Sequence, residues 1–173
     1  VIFITIILPL FSAILFVKTE RVQSIEMFKK EERFGPLLVS LLIMLIGFPF
    51  FNSFCKLSIY LNSIYISYLM ILLFAFIITN KWKISLHMLG IGAAIGSFLA
   101  LNYIFGSLYW WIIFFFLLSG LLAFSRIYLK SHTISQVYIG FLLGCIFQSL
   151  FIINYSLIIS TISILRSSIA SVL

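Results

Sequence analysis

The stretch Ser125-Arg126-Ile127-Tyr128-Leu129-Lys130-Ser131-His132-Thr133-Ile134-Ser135-Gln136 sets an arginine, a lysine and a histidine between two long apolar runs. The second histidine, His87, follows Lys81-Trp82-Lys83-Ile84-Ser85-Leu86, and Arg33 stands just before a third apolar run. All three places are expected to be helix entrances, where free N–H groups and the macrodipole favour an anion. Charged residues make up only 9% of the chain, so a basic cluster beside apolar runs asks for a reason. Phosphate chemistry supplies one. A phosphate ester needs a nucleophile, a proton donor for the leaving oxygen, and positive charge around the transition state. Histidine can fill either of the first two roles near neutral pH. Arginine matches phosphate oxygens bidentately, which makes Arg126 and Arg33 the natural clamps.

The elements that must position these residues are membrane helices. The chain has 173 residues, is 64% hydrophobic and has a mean hydropathy of +1.28. No soluble domain of this size hides so much apolar surface. Several runs exceed the ~20 apolar residues that cross a bilayer, and the alternation of an outer-membrane barrel is missing. The expected fold is all-α: one transmembrane helical domain over 1–173, with about six spans. These fall at roughly 1–17, 36–54, 58–79, 84–105, 108–124 and 133–154. Pro36 suits the first turn of the second span, and Pro9 and Pro49 fall inside spans. The tail from Ser156 is expected as a partial span or an interfacial helix.

Alternating crossings put nine of the eleven Lys and Arg on one face, leaving only Lys56 and Arg166 on the other. The positive-inside rule makes the basic face cytoplasmic, although a phosphate site would recruit the same residues on either side. The expected location is a bacterial inner (cytoplasmic) membrane. Position 1 is Val, inside an apolar run, which leaves room for an upstream segment; residues 1–17 lack the flanks of a signal peptide.

Composition also excludes classes. The chain has no Asp, and its four acids, Glu20, Glu26, Glu31 and Glu32, share one loop. A two-carboxylate hydrolase and an oxygen-rich Mg²⁺ or Ca²⁺ cage cannot be built from them alone. Cys55 and Cys145 are far apart in sequence and read as inert packing residues. Gly90-Ile91-Gly92-Ala93-Ala94-Ile95-Gly96 lies inside a span, so its small residues read as a helix-packing surface and not a nucleotide loop. No acid or charge pair interrupts a span, which argues against a transporter or channel.

The spacing Ser125-Arg126, five residues, His132, three residues, Gln136 resembles the third signature of the type 2 phosphatidic-acid phosphatase family, S-R-x5-H-x3-D. Ile84-Ser85-Leu86-His87 resembles the second, P-S-G-H. Lys30, Arg33 and Pro36 loosely resemble the first, K-x6-R-P. Two spans separate the second and third signatures and return them to one face. The set also looks like a divergent membrane subgroup in which Lys83-Ile84-Ser85-x-His87 replaces the usual second signature. The resemblance implies that His132 is the nucleophile that becomes phosphohistidine and that His87 protonates the leaving group. It implies further that Arg126, Arg33 and Lys30 hold the phosphate, with Ser125, Ser85 and Lys83 in the same binding set. The partners it implies are membrane lipids and a lipid-phosphate substrate, with no cofactor, no metal and no nucleic acid.

Gln136 stands where that family has Asp. An amide accepts the ring N–H but does not stabilise an imidazolium; Glu32, next to Arg33, is the carboxylate that could supply the missing charge from another loop. Each residue also has a plain reading. Thr133-x-x-Gln136 fits a helix capping box. Lys81, Lys83 and Lys130 fit topology determinants or headgroup anchors. His87 alone fits an interfacial polar residue. The rival to a phosphatase is a catalytically decayed relative, serving as an anionic-lipid binder or as a structural subunit of a membrane complex.

Overall fold

A computed structural model describes residues 7–20, 22–23, 27, 29, 31–55 and 58–170. Among them the chain is helical: α1 (Leu8–Lys18), a 3₁₀ turn (Glu31–Arg33), α2 (Phe34–Cys55), α3 (Ile59–Lys81), α4 (Leu86–Phe105), α5 (Tyr109–Tyr128) and α6 (Ile134–Ala170). The helices α2 to α6 are each long and apolar enough to cross a bilayer. Five of the expected spans are therefore present. The first appears as the 11-residue α1, and the rest of its expected range, 1–6, lies outside the described residues. This is an integral helical membrane protein by length and composition.

Two expectations are corrected. The first half of the loop expected at 125–132 is helix, because α5 continues through Tyr128; Ser125 and Arg126 stand at a helix exit, not an entrance. A cation in the last turn complements the carbonyl end of the dipole, so Arg126 helps the helix persist. The tail is not a separate element either. Nothing between Asn154 and Ala170 breaks the backbone, so α6 runs 37 residues.

Helices α4 and α6 form the centre of the bundle, with α3 against α6 and α5 against α4. Lipid tails are as apolar as Leu, so membrane helices associate through close packing and interhelical hydrogen bonds. Here the contact surface is made of glycine. A Cβ on Gly92 would collide with the Phe141 carbonyl oxygen, one on Gly96 with that of Cys145, and one on Gly144 with that of Leu89. The small residues of α4 thus serve packing, as the sequence suggests, and Gly140 and Gly144 answer them from α6.

Hydrogen bonds fix the register. The Ser85 N–H donates to the Gln136 carbonyl at 3.3 Å, and the Gln148 amide donates to Ser97 Oγ at 3.0 Å. Both pairs are 51 residues apart. The two helices therefore start together and run side by side in the same direction. Ile71, Ala75, Ile84, Leu89 and Ala93 bury the α3–α4 corner, and Met44, Phe51 and Tyr65 bury the α2–α3 contact. The Tyr65 hydroxyl donates to the Met44 carbonyl at 2.8 Å. At the same end of the bundle where α4 and α6 begin, Phe16 packs against Gly35, which seats α1 on the start of α2.

Gly144→Ala is expected to lower stability by about 1–3 kcal/mol, since a methyl group there has only backbone to push against. Gly120, with nothing within 4 Å of a built Cβ, is the control and should tolerate Ala without loss. Thermal unfolding of the two variants in one detergent measures the difference.

Candidate functional site

The buried end of the bundle is organised by one side chain. Arg33 is 4% exposed and donates to three acceptors on different segments: Nε to the Met27 carbonyl at 3.1 Å, Nη1 to the Ile84 carbonyl at 2.8 Å, and Nη2 to His132 Nε2 at 3.2 Å. Ile84 is itself fully buried in the α3–α4 core, so its carbonyl is a fixed target. The guanidinium thereby joins the start of α2, the α3–α4 link and the α5–α6 turn.

That turn is built by a left-handed residue. After α5, the Lys130 N–H donates to the Ile127 carbonyl at 2.9 Å and the Ser131 N–H to the Arg126 carbonyl at 3.1 Å, a Schellman closure. Lys130 has φ 52°, where glycine is usual. The His132 N–H reaches the same Arg126 carbonyl at 3.3 Å, and Lys83 Nζ donates to the Ser131 carbonyl at 3.0 Å. The turn is tied at both ends, and His132 emerges with its ring buried, 6% exposed.

The next four residues fix the protonation pattern of that ring. Gln136 Oε1 accepts the Thr133 N–H at 3.2 Å, and the Gln136 N–H reaches Thr133 Oγ1 at 3.4 Å. These are the two halves of the capping box. Because a backbone N–H can only donate, the atom facing it is the amide oxygen. The same oxygen lies 2.9 Å from His132 Nδ1, which must then carry the proton. Nε2 keeps its lone pair and accepts from Arg33. The structural and chemical readings of Gln136 are thus one arrangement.

Electrostatics agree. Burial pushes His132 down from its ordinary 6.5 to about 4, opposed by the Gln136 hydrogen bond and reinforced by the positive charges of Arg33, Lys83 and His87. The imidazole is neutral at pH 7. The starts of α2, α4 and α6 meet here as well, and their N-terminal dipoles add to the positive field.

Beside the ring is an open cleft of about 400 Å³ lined by Lys83, Ile127, Lys130, Ser131, His132, Thr133 and Gln136. The hydroxyl oxygens of Ser85 and Ser131 are buried with no hydrogen-bond partner among the described residues, whereas the Ser85 N–H is engaged with Gln136. Of the residues picked out from sequence, His132, Gln136, Arg33, Lys83 and Ser85 are brought together. His87 is exposed in the first turn of α4, close enough to disfavour charge on His132. Arg126 is half-buried, and its carbonyl is the acceptor that closes the turn. Ser125 is half-buried one residue before it, and its carbonyl accepts the Leu129 N–H. Lys30 lies outside the described residues. Glu32 takes no part in shifting His132; the charges that do are all positive.

Sequence reasoning missed the Lys130–Ser131 turn and the Lys83 clip on it. A lysine in the left-handed region carries no sequence signal, because side-chain type there argues for glycine. Sequence reasoning also missed Gly140-x-x-x-Gly144, whose small-residue spacing is the signal that marks where α6 meets α4.

Comparison of the chain with protein-family models, with curated proteins and with solved structures finds no match. The functional reading therefore rests on the site itself.

The His132 shift has a stability consequence with a defined sign. Unfolded His132 takes up its proton near 6.5 and the folded protein only near 4. Between those values the unfolded state binds more protons, so stability falls as pH drops from about 6.5 to about 4 and then levels. The full drop is up to about 3 kcal/mol. Unfolding measured against pH should show this fall, and His132→Gln should remove the part that His132 causes. Lys130→Gly is expected to stabilise the turn by about 1 kcal/mol by relieving the left-handed backbone, read as a raised melting temperature.

Proposed function

We propose that this protein is an integral membrane phosphatase that removes phosphate from a lipid phosphate or pyrophosphate through a phosphohistidine on His132. The observation that carries the reading is the state of that ring: neutral, proton on Nδ1, lone pair on Nε2, set among cations beside an open cleft. A neutral imidazole is the nucleophilic form, and the surrounding cations favour a bound dianion and its transition state. The resemblance of the Ser125–Gln136 spacing to a phosphatidic-acid phosphatase signature supports the same reading.

In the proposed cycle Arg33 turns from Nε2 to a phosphate oxygen when substrate binds. The Nε2 lone pair then forms a bond to phosphorus as the P–O bond to the lipid breaks. His87 gives its proton to the leaving oxygen. Water attacks the phosphohistidine, passes a proton to His87, and releases inorganic phosphate as the P–N pair returns to Nε2. Lys83, Lys130 and Arg126 neutralise the phosphate during both steps. No metal enters the scheme, because the chain has no Asp and its four Glu share one loop. The acyl or prenyl tail stays in the bilayer beside the Phe-rich spans.

One observation favours the rival reading, a non-catalytic lipid-binding or structural relative. Arg33 is engaged with protein acceptors on three segments, as a structural strap would be. Gln136, in place of a carboxylate, also holds the ring without stabilising an imidazolium.

Phosphate release by purified protein from lipid monophosphates and pyrophosphates decides between them. The phosphatase reading expects turnover unaffected by chelator. His132→Ala should abolish turnover and covalent labelling. His87→Ala should slow it about 10²–10⁴-fold, most for poor leaving groups. Gln136→Asp should raise the rate by stabilising the imidazolium. Absence of release from both the native protein and Gln136→Asp, with anionic lipid still bound, establishes the rival.

A further inference from the structure

The histidine cleft does not end at the ring. A second hollow, of about 230 Å³, lies between α5 and α6 with Met88 of α4 among its walls. Ile127 lines both spaces. On α6 the change from one to the other is a single residue step, since Gln136 lines the cleft and Val137 the hollow. A polar cleft with two lysines on it therefore adjoins a groove between two spans.

The groove has a direction and an end. Its α5 wall is Phe116, Ser119, Gly120, Ala123 and Ile127, which lie on one face of that helix. Phe116 is eleven residues from Ile127, about 16 Å at 1.5 Å per residue. There the Phe116 and Phe141 rings meet edge to face with centroids 6.1 Å apart, and this pair closes the far end. Met88 and Val137 are buried beneath the groove. Ser119 adds no free polar group, because its hydroxyl donates to the Phe116 carbonyl at 2.7 Å. The middle is kept wide by Gly120. Gly92, Gly96 and Gly144 let backbones touch, whereas a Cβ on Gly120 would meet nothing within 4 Å. Glycine inside a helix is destabilising relative to alanine, and no helix contact offsets that here.

We infer that this groove holds the hydrocarbon chain of the substrate while its phosphate lies in the histidine cleft, and that Gly120 and Ala123 decide which chains fit. The inference rests on the phosphate reading of that cleft. A lipid phosphate bound at His132 has its charged end beside Lys83 and Lys130 and a chain that must return to hydrocarbon. At Ile127 the groove lets the chain do so without parting any two helices. One chain fills it, so the second chain of a two-chain lipid stays in the surrounding bilayer. Apolar walls alone do not select an occupant, since bulk lipid satisfies them as well. The phosphate contact does, by setting one chain in a fixed register along α5.

The test is photolabelling of the purified full chain in phosphatidylcholine vesicles. The probe is dodecyl phosphate with a diazirine at mid-chain, and labelled residues are located by peptide mass spectrometry. Label should concentrate on residues 116–123 of α5 and 138–141 of α6. The same chain ending in an alcohol should not concentrate there. Gly120→Phe and Ala123→Phe should each lose the groove label, with thermal unfolding confirming that the bundle is intact. Leu121→Phe, which adds its ring on the exposed side of α5, should keep it. Label spread evenly over the exposed residues of α5 and α6, equal labelling by the alcohol, or full label in both folded groove variants would mean ordinary lipid contact and overturns the inference. Phosphate release is measured on the same samples. Release with evenly spread label keeps the phosphatase reading and removes the groove. Groove label that needs the phosphate, without release, keeps the groove and removes the phosphatase.

Discussion

The close approach of α4 and α6 is the constraint on which the rest of this protein depends. In a bilayer two apolar helices gain little from merely touching, because lipid tails satisfy apolar surface as well. What holds them is backbone-to-backbone proximity, possible only where no Cβ intervenes. Gly92 and Gly96 on one helix and Gly144 on the other provide it. The consequence reaches the site directly. Once the helices are locked at a fixed offset, the Ser85 N–H meets the Gln136 carbonyl, and the α3–α4 link is set beside the first turn of α6. Lys83, Ile84, His87 and His132 then have nowhere else to be.

Within that frame, positive charge is concentrated and left largely to backbone acceptors. Arg33 and Lys83 both donate to main-chain carbonyls, and three helix starts point their N–H groups at the same region. Such a field opposes a second charge on His132, and burial opposes it further. The amide at Gln136 is consistent with this balance. It holds the Nδ1 proton and fixes the tautomer, without the negative charge that would raise the ring toward protonation. The ring is kept as a neutral base with one directed lone pair.

The turn before His132 shows how much backbone is devoted to this placement. A Schellman closure around a left-handed lysine and a capping box follow one another between Arg126 and Gln136. The turn costs about 1–2 kcal/mol at Lys130 relative to glycine, and the hydrogen bonds on either side of it offset that strain. In exchange a cation sits on the rim of the cleft.

Much of this was legible in the sequence, and the reason differs from feature to feature. Composition and run length determine a helical membrane protein, since only backbone that satisfies its own hydrogen bonds can cross lipid. The alternation of spans determines that Arg33, Lys83, His87 and His132 share one end, and the spacing Thr133-x-x-Gln136 determines the cap at the start of α6. The tertiary structure alone decided what these residues do to one another. That Arg33 donates to His132 across 99 residues depends on how α2, α4 and α6 converge, and no local pattern encodes a distance between separate helices. The tautomer of His132 needed two donors aimed at one oxygen. The length of α6 beyond its neighbours needed the register of α4, because the sequence of one helix does not say where the helix beside it stops.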